Sequence, residues 1–148
     1  MHPGVFFDMQ EGGLRFSENV SIAKHPLVSV ITVVYNSEQL IERTLRSVAN
    51  QTAKNIEHLI IDGASKDQTL AIVKSFPNGV AYWLSEKDNG IYDAMNKGIQ
   101  KANGTYLIFL NSGDEFFAND TIEKVFQNNE NADVYYGDTI ITNEQGQV

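Results

Sequence analysis

The feature that most constrains this fold is VSVITVVY at positions 28–35, an apolar run in which β-branched residues predominate. Such residues favour strands, and an apolar run without alternation is typical of a strand buried on both faces of a parallel sheet. The next apolar residues recur at three- and four-residue intervals, as on one face of a helix: Leu40, Ile41, Leu45 and Val48. Asn36 and Ser37 lie between the two stretches and offer an N-cap. The first unit is therefore predicted to be a buried strand followed by a helix.

The same alternation continues along the chain. Further strands are predicted at positions 56–61, 80–84 and 106–110. The apolar spacing after each of them predicts a helix, carried by Leu70, Val73 and Phe76, then by Ile91, Met95, Ile99 and Ala102, then by Ile122, Val125 and Phe126. Alternation of this kind predicts an α/β fold with a mostly parallel central sheet and helices on both faces. The domain is predicted to occupy residues 27–148.

The two ends of the chain have weaker patterns. Glycines and a proline interrupt positions 1–26, which are predicted to form an N-terminal arm with one short strand around 14–16. Near the other end, two short strands are predicted at 134–136 and 139–141, with a hairpin around 143–146.

Composition excludes several classes of protein. The formal charge of −8 argues against non-specific nucleic-acid binding, which requires clustered Lys and Arg, and it favours binding of a phosphate ligand through a metal ion. The chain has no Cys, which excludes disulfides and thiolate metal sites, and no apolar run of transmembrane length. Together with the absence of a secretory leader, these features favour a cytoplasmic protein, including one that partners hold at the inner face of the membrane.

Polar loops follow the carboxyl ends of the predicted strands. They are the pair Tyr35-Asn36 and positions 62–65, 86–90 and 111–114, all rich in Asp, Asn, Ser and Gly. The carboxyl ends of parallel strands meet at one edge of a sheet, where ligands bind in open α/β folds. Asp114, behind a flexible Ser-Gly, suits a divalent cation that carries a phosphate ligand, although Asn-Ser-Gly-Asp alone is better explained as a turn. Four such loops on one edge predict a site.

Three aspartates from separate loops are candidate site residues. Asp62 has two equally supported interpretations, a hydrogen bond to a base or ribose and a simple turn. Asp88 has two as well, contact with a bound nucleotide and a cap for the helix after it. We expect Asp62, Asp88 and Asp114 to gather around one cation and its diphosphate ligand. Asp93 and Lys97, four residues apart, are interpreted as a surface ion pair.

Other residues and motifs carry less information. His58 lies among the apolar residues of a predicted strand and is interpreted as a packing residue. Tyr82 and Trp83 are predicted core residues, and Phe116 and Phe117 are predicted to anchor the segment after the last loop in the core. The chain offers no defensible Ser/His/Asp triad, no Gly-x-x-x-x-Gly-Lys and no Gly-x-Gly-x-x-Gly, which disfavours a P-loop or a dinucleotide-binding fold.

Four blocks occur in the order and spacing of glycosyltransferase family two: PLVSVITVVYN at 26–36, IIDGASKDQT at 60–69, SEKDNGIYDAMNKG at 85–98 and GTYLIFLNSGD at 104–114. The chain resembles this family, and in particular the bacterial members that build surface polysaccharides, such as the colanic-acid type. The resemblance implies a GT-A fold and a nucleotide-diphosphate sugar as donor, with UDP-sugars favoured, and a glycan or lipid-linked acceptor.

The resemblance also implies roles for single residues. Those that would contact the nucleotide are Tyr35 and Asn36 beside the base, Asp62 at the base or ribose, Asp88 at the nucleoside and Asn111 at a ribose hydroxyl. Asp114 would bind the divalent metal, Mg²⁺ or Mn²⁺, between the protein and the pyrophosphate. Asn111 and Gly113 stand where many relatives have acidic residues, so the metal would be held more weakly.

The reaction implied is inverting, metal-dependent sugar transfer in surface polysaccharide synthesis. In the family the general base lies well after the metal motif, so we expect it beyond residue 148 and assign no catalytic residue here. The chain would then lack the acceptor-binding part, and the alternative is a catalytically incomplete module that binds a nucleotide sugar. A nucleotidyltransferase is disfavoured because no Gly-rich, basic loop follows the first strand. The oligomeric state stays open.

Overall fold

The computed structural model of the protein describes residues 9–18, 20, 24–76, 79–127 and 132–143. Its strands are β1 (Gln10–Gly12), β2 (Val28–Val34), β3 (Ile56–Asp62), β4 (Tyr82–Ser85) and β5 (Tyr106–Phe109). Its helices are α1 (Ile41–Ala49), α2 (Thr69–Ser75), α3 (Ile91–Lys101) and α4 (Thr121–Phe126), with a short 3-10 helix at Leu14–Phe16. From β2 to α3, strands and helices alternate as the sequence predicts.

In the part of the chain that the structure describes, the strands form one sheet in the order β1-β4-β3-β2-β5. β2 pairs in parallel with β3 and β5, and β3 pairs in parallel with β4, whereas β1 runs antiparallel to β4. The register pairs Val34 with Asp62 and Asp62 with Ser85, so three strands end side by side. The predicted α/β fold with a mostly parallel sheet is confirmed.

Helices cover both faces of this sheet. On one face α3 packs against β2 and β3, where Ile31 and Leu59 are completely buried. Gly98 allows this close approach, because a Cβ at its position would lie 2.5 Å from Cγ2 of Ile31. The opposite face packs against α1, α2 and α4 through buried apolar side chains that include Leu45, Val73 and Ile122. Burial of apolar side chains on both faces is the main term that favours this fold.

The N-terminal arm is part of the sheet. Beyond the pairing of β1 with β4, the backbone N–H groups of Leu14 and Arg15 donate to the carbonyls of Val80 and Ala81, both at 3.0 Å. These bonds satisfy the carbonyl groups just before β4. Together with the pairing of β1, they cover the side of β4 that would otherwise be an unpaired edge strand. The arm therefore closes one side of the sheet.

The short strand predicted around positions 14–16 is wrong. These residues form the 3-10 helix, and the strand β1 precedes them. Gly13, with a φ of +114°, turns the chain between the two, a conformation that glycine adopts without steric cost. Arg15 then reaches the buried Glu57, with 2.7 Å between Nη2 and Oε2. A tertiary ion pair therefore accompanies this local conformation.

The predicted N-cap of α1 is also wrong. Asn36 and Ser37 lie in the loop before the helix, and Leu40 directly precedes Ile41, the first helical residue. The carbonyl of Ser37 accepts the N–H groups of Leu40 and Ile41 at 3.1 and 3.0 Å, so a backbone turn leads into the helix. The side chain of Asn36 instead accepts the N–H of Lys66, in the loop after β3.

The strands predicted at 134–136 and 139–141 are wrong as well. Residues 132–143 are described without helix or strand, and Val134 and Ile141 are 75% and 85% exposed. With so little apolar burial, nothing offsets the entropy cost of ordering strands there. The predicted hairpin lies outside the described residues from position 144 onward. Among the helices of the described ranges, none has the length and apolar character needed to cross a bilayer.

Candidate functional site

Four loops lie side by side at the carboxyl edge of the sheet. They follow β2, β3, β4 and β5 at positions 35–40, 63–68, 86–90 and 110–115. The strand order places the loop after β4 at one end of this edge and the loop after β5 at the other, with the loops after β3 and β2 between them. The parallel sheet thus brings together the polar loops that the sequence places after its strands.

The loops after β2 and β3 are joined by hydrogen bonds. Asn36 donates its backbone N–H to Oγ of Ser65, and its Oδ1 accepts the N–H of Lys66, both at 2.8 Å. The N–H of Ser37 donates to Oγ1 of Thr69, also at 2.8 Å. Asn36 has a φ of +46°, a left-handed conformation that Asn adopts more readily than most residues. Asn36 therefore shapes these loops, and its amide oxygen is already engaged by the protein.

Asp62 is completely buried at the end of β3. Its carboxylate accepts hydrogen bonds from the N–H and hydroxyl of Ser65 and from the hydroxyl of Ser85, the last at 2.6 Å. These donors come from the loop after β3 and from the end of β4. The side chain has no exposed surface, so its geometry favours the interpretation as a turn residue that holds two neighbouring strand ends together.

Asp88 lies over Gly63, close to the ring of Tyr35. A Cβ at Gly63 would lie 2.6 Å from Oδ2 of Asp88 and 3.4 Å from Cδ2 of Tyr35, so glycine makes room for both side chains. Oδ1 of Asp88 accepts the N–H of Gly90 at 2.9 Å, whereas no residue in the described ranges donates to Oδ2. Tyr35 is 59% exposed. An aromatic ring and a carboxylate oxygen without a donor therefore meet beside Gly63.

A group of charged residues links the loop after β4 to α3. Nζ of Lys97 lies 2.9 Å from Oε1 of Glu86 and 3.4 Å from Oδ2 of Asp93. The N–H of Asn89 donates to the same Oδ2 at 3.0 Å, and this hydrogen bond, together with the charge of Lys97, lowers the pKa of Asp93. The ion pair predicted between Asp93 and Lys97 is confirmed, and it helps to fix the backbone that carries the neighbouring Asp88.

The 111–114 loop follows β5 at the other end of the edge. A hydrogen bond of 2.8 Å between the hydroxyls of Ser112 and Ser37 joins it to the loop after β2. The N–H of Asp114 donates to the carbonyl of Asn111 at 2.9 Å, which makes the loop a tight turn. Asp114, the last residue of this turn, is exposed, whereas Oδ1 of Asn111 is buried and has no hydrogen-bond partner in the described part of the chain.

Asn111 and Asp114 have the chemistry to hold a divalent cation. A buried amide oxygen without a partner is costly, and a cation or a ligand hydroxyl would satisfy it. Mg²⁺ takes oxygen ligands and is commonly held by one or two protein carboxylates together with phosphate oxygens and water. The donors of this loop fit such a cation.

A site with three carboxylates is not formed. Within the described ranges, no group of three His, Cys, Asp or Glu residues could hold a metal ion. These three carboxylates are therefore not joint ligands of one cation. Asp62 and Asp88 belong to the β3 and β4 end of the edge and Asp114 follows β5. That they gather around a cation together with its diphosphate ligand stays a prediction.

A buried chain of hydrogen bonds fixes the start of the 111–114 loop. Nε2 of His58 lies 2.9 Å from Oγ1 of Thr32, and that hydroxyl donates to the carbonyl of Leu110 at 2.7 Å. Because a hydroxyl has a single proton, His58 must donate from Nε2 to the same oxygen. Burial lowers the pKa of His58 to about 3, so its ring is neutral at pH 7. The prediction of a buried packing role for His58 is confirmed, with the added hydrogen bond.

Some residues that shape the site have little signal in the sequence. Gly63 has a recognisable signal, because a glycine directly after a strand-end aspartate indicates a place where the backbone must leave room for neighbouring side chains. Ser85 has no such signal, since its contact with Asp62 depends on the register of β3 and β4. Tyr82 is buried in the core as predicted, and Trp83 and Phe116 are partly buried and pack against it. Phe117 is 85% exposed and does not anchor the segment.

Positions 29–147 match the family model described as Glycosyl transferase family 2. The chain belongs to this family. An uncharacterized glycosyltransferase of Mycobacterium tuberculosis is 44% identical over 69% of this chain and 39% of that relative. A PGL/p-HBAD biosynthesis glycosyltransferase of Mycobacterium bovis is 35% identical over 78% of this chain and 48% of that relative. The resemblance found in the sequence is confirmed, and the chain spans less than half the length of these curated relatives.

Solved structures of glycosyltransferases share the fold of this family 2 chain. Residues 1–349 of S. aureus TarS, in complex with UDP-GlcNAc, match with a TM-score of 0.58 and 29% identity over 66% of this chain and 29% of that chain. A mannosyltransferase of Pyrobaculum calidifontis, in complex with GDP-Man and Mn²⁺, matches with a TM-score of 0.60 and 24% identity over 73% of this chain and 34% of that chain. At that identity the second match shows the fold alone. The predicted GT-A type of α/β sheet is confirmed.

Proposed function

We propose that this chain forms the donor-binding part of an inverting, metal-dependent glycosyltransferase that moves a sugar from a nucleotide diphosphate to a glycan or lipid-linked acceptor. The observation that carries the proposal is the division of the carboxyl edge into two ends. Among the described residues, one end offers an aromatic ring and a carboxylate oxygen without a donor, and the other offers a buried amide oxygen without a partner and an exposed carboxylate. The aromatic ring and the carboxylate oxygen suit a nucleotide base, and the amide oxygen and the exposed carboxylate suit a metal-bound diphosphate.

In this proposal the base binds between Tyr35 and Asp88. The exposed ring of Tyr35 supplies a stacking surface, and Oδ2 of Asp88 accepts an N–H of the base. Asp62 and Asn36 have their acceptors engaged by Ser65, Ser85 and Lys66, so they act by holding the loops in place. TarS binds UDP-GlcNAc, and the mannosyltransferase binds GDP-Man, so uridine and guanosine donors both merit a test.

Asn111 and Asp114 would hold a divalent cation, Mg²⁺ or Mn²⁺, at the diphosphate. When bound, such an ion neutralises charge that develops on the leaving diphosphate. The protein supplies the tight turn that presents Asp114, and none of the described residues hydrogen-bonds to Oδ1 of Asn111. The mannosyltransferase complex contains Mn²⁺, so Mn²⁺ is the ion to test first.

The acceptor hydroxyl must lose a proton during transfer, which requires a general base within hydrogen-bond reach. In the described ranges beyond α4, the carboxylates are Asp133 and Asp138, both exposed in a segment without helix or strand. We assign the role to neither. In this proposal the described residues bind the donor.

Calorimetric titration with UDP and GDP, with and without Mn²⁺, tests this proposal. We expect Mn²⁺-dependent binding of one of the two diphosphates. Asp114→Asn should abolish the gain from Mn²⁺ while preserving affinity for the corresponding monophosphate. Asp88→Asn should weaken diphosphate and monophosphate alike by about 10- to 100-fold, because it replaces an acceptor oxygen that binds through a charge-assisted hydrogen bond.

Glu18→Gln is a suitable control for the loss of one negative charge. Glu18 is exposed and follows the 3-10 helix, whose backbone bonds to Val80 and Ala81 lie at the amino end of β4, away from the carboxyl edge. Its binding should equal that of the wild type. Failure of the wild type to bind either diphosphate, or full retention of the Mn²⁺ effect by Asp114→Asn, would remove the proposal.

A further inference from the structure

Helix α1 presents a polar stripe to the segment that follows β5. Its members are Thr44, Ser47 and Gln51, which follows the helix by two residues, and the spacing of three and four residues places them on one face. Thr44 is completely buried and Gln51 is 3% exposed. Buried polar side chains on a helix that packs against a sheet are costly unless each finds a partner. This stripe therefore needs an explanation beyond packing.

The stripe binds the backbone of the segment at successive positions. Oγ of Ser47 accepts the N–H of Phe116 at 2.8 Å. Oε1 of Gln51 accepts the N–H of Ile122 at 3.1 Å, and its Nε2 donates to the carbonyl of Ala118 at 2.8 Å. The segment from the loop to α4 thus follows α1 along its whole length and is held by side chains rather than by a sheet.

Thr44 makes the contacts closest to the proposed metal ligands. Its Oγ1 accepts the N–H of Gly113 at 2.8 Å and donates to the carbonyl of Asp114 at 2.9 Å. One hydroxyl therefore fixes the backbone on both sides of the bond between these two residues. Gly113 has a φ of +98°, so the loop turns sharply where Thr44 holds it. The carboxylate of Asp114 is left exposed beyond this fixed backbone.

We propose that Thr44 is a positioning residue that holds the 111–114 loop in the geometry for cation binding before the nucleotide arrives. The inference rests on the proposed function, because it assigns Thr44 a role toward the cation of that same site. Thr44 does not touch the cation itself. It acts on Asp114 through the backbone, as outer residues around metal sites orient the ligands.

Thr44→Val tests the role, since it keeps the shape of the side chain and removes the hydroxyl. Calorimetry with Mn²⁺ and either UDP or GDP, whichever the wild type binds, should show a loss of about 10- to 100-fold in the affinity gained from Mn²⁺. Affinity for UMP or GMP should stay within about twofold. Thr44→Ser, which keeps the hydroxyl, should restore the Mn²⁺ effect.

Ser47→Ala is the matched control. It removes a hydroxyl of the same stripe that bonds to Phe116, outside the 111–114 loop. It should lower the melting temperature and leave the affinity gained from Mn²⁺ unchanged. An equal loss of that affinity in Ser47→Ala, or an equal loss of monophosphate binding in Thr44→Val, would mean that the stripe acts by general stability and would overturn the inference.

Amide hydrogen exchange of the wild type gives a measurement that does not depend on the folding of a variant. We expect the N–H of Gly113 to be protected in the free protein, because Thr44 already binds it. Rapid exchange there would overturn the inference. Mn²⁺-dependent binding that Thr44→Val retains would refute the inference alone, whereas a wild type without diphosphate binding would refute the proposed function and the inference together.

Discussion

At the scale of single residues, the buried His58 links stability to pH. Its pKa lies at about 3 in the folded protein, against an ordinary value of 6.5, because burial opposes the charged ring. As pH falls, the unfolded chain takes up the proton first. The stability that depends on neutral His58 is therefore fully present above about pH 6.5 and is lost progressively toward pH 3.

We predict that the free energy of unfolding falls by about 2 kcal/mol between pH 7 and pH 5 through His58 alone. His58→Gln keeps an N–H donor for Thr32 and cannot titrate, so its stability should change much less over this interval. Urea denaturation at pH 7, 6 and 5 measures both proteins, and this range avoids the titration of most carboxylates. Parallel pH dependence of the two proteins would rule out His58 as the cause.

The roles of single residues were only partly predictable. Asp62, Asp88 and Asp114 have similar neighbours in the sequence, each after an apolar run and beside glycine or asparagine. Their environments differ. Ser65 and Ser85 enclose Asp62, Gly63 leaves room for Asp88, and Asp114 is exposed at the end of a tight turn. Such differences depend on which loops the sheet brings together, and a linear pattern does not contain that information.

At the scale of secondary-structure elements, a buried ion pair connects the N-terminal arm to the sheet. The side chains of Arg15 and Glu57 are 17% and 5% exposed, and Glu57 also accepts the hydroxyl of Ser29 at 2.6 Å and the N–H of Asn103 at 2.7 Å. The network joins the arm to β2, β3 and the loop before β5. Removal of the arginine would leave a buried carboxylate without its counter-charge.

Arg15→Met should therefore lower the free energy of unfolding by about 3 kcal/mol. Arg46→Met makes the corresponding change at an exposed pair. It removes the ion pair with Glu42, one turn away on α1, and the side chains of Arg46 and Glu42 are 65% and 52% exposed. That variant should lose about 0.5 kcal/mol or less. Urea denaturation compares the two variants. Similar losses in the free energy of unfolding would show that the Arg15–Glu57 pair contributes no more than a surface ion pair.

The accuracy of each strand prediction depends on how that strand is stabilised. Strands β2 and β3 match their predicted ranges within a residue, because continuous apolar runs such as VSVITVV are stable only where both faces are covered. The predicted strands at 134–136 and 139–141 fail, because a short apolar segment forms a strand only beside a partner. Residues 14–16 form a 3-10 helix instead of a strand, with local bonds from Phe16 to Gly13 and from Ser17 to Leu14. β1 is not evident in the sequence, since its pairing with β4 supplies most of what defines it.

At the scale of the whole molecule, the strand order determines which end of the proposed site would bind the base and which end would bind the metal. The base end comprises the loop after β4 and Tyr35, which directly follows β2, and the metal end comprises the loop after β5. Three spacings between neighbouring strands span roughly 14 Å, a length over which a nucleoside diphosphate can extend. The alternation of strands and helices predicts that the polar loops share one edge. Their order along it depends on the pairing of β2 with β5 and of β1 with β4, strands distant in the sequence, which no local pattern encodes.

Nuclear magnetic resonance with Mn²⁺ tests most directly whether this edge binds a metal-linked diphosphate. A small amount of Mn²⁺, added with UDP or GDP to the ¹⁵N-labelled chain, should broaden the amide signals of residues 111–115 and of Ser37. Signals of residues 103–105, which precede β5 at the opposite edge, should stay sharp. Broadening centred on the opposite edge, or unchanged spectra at saturating nucleotide, would contradict the placement of the site.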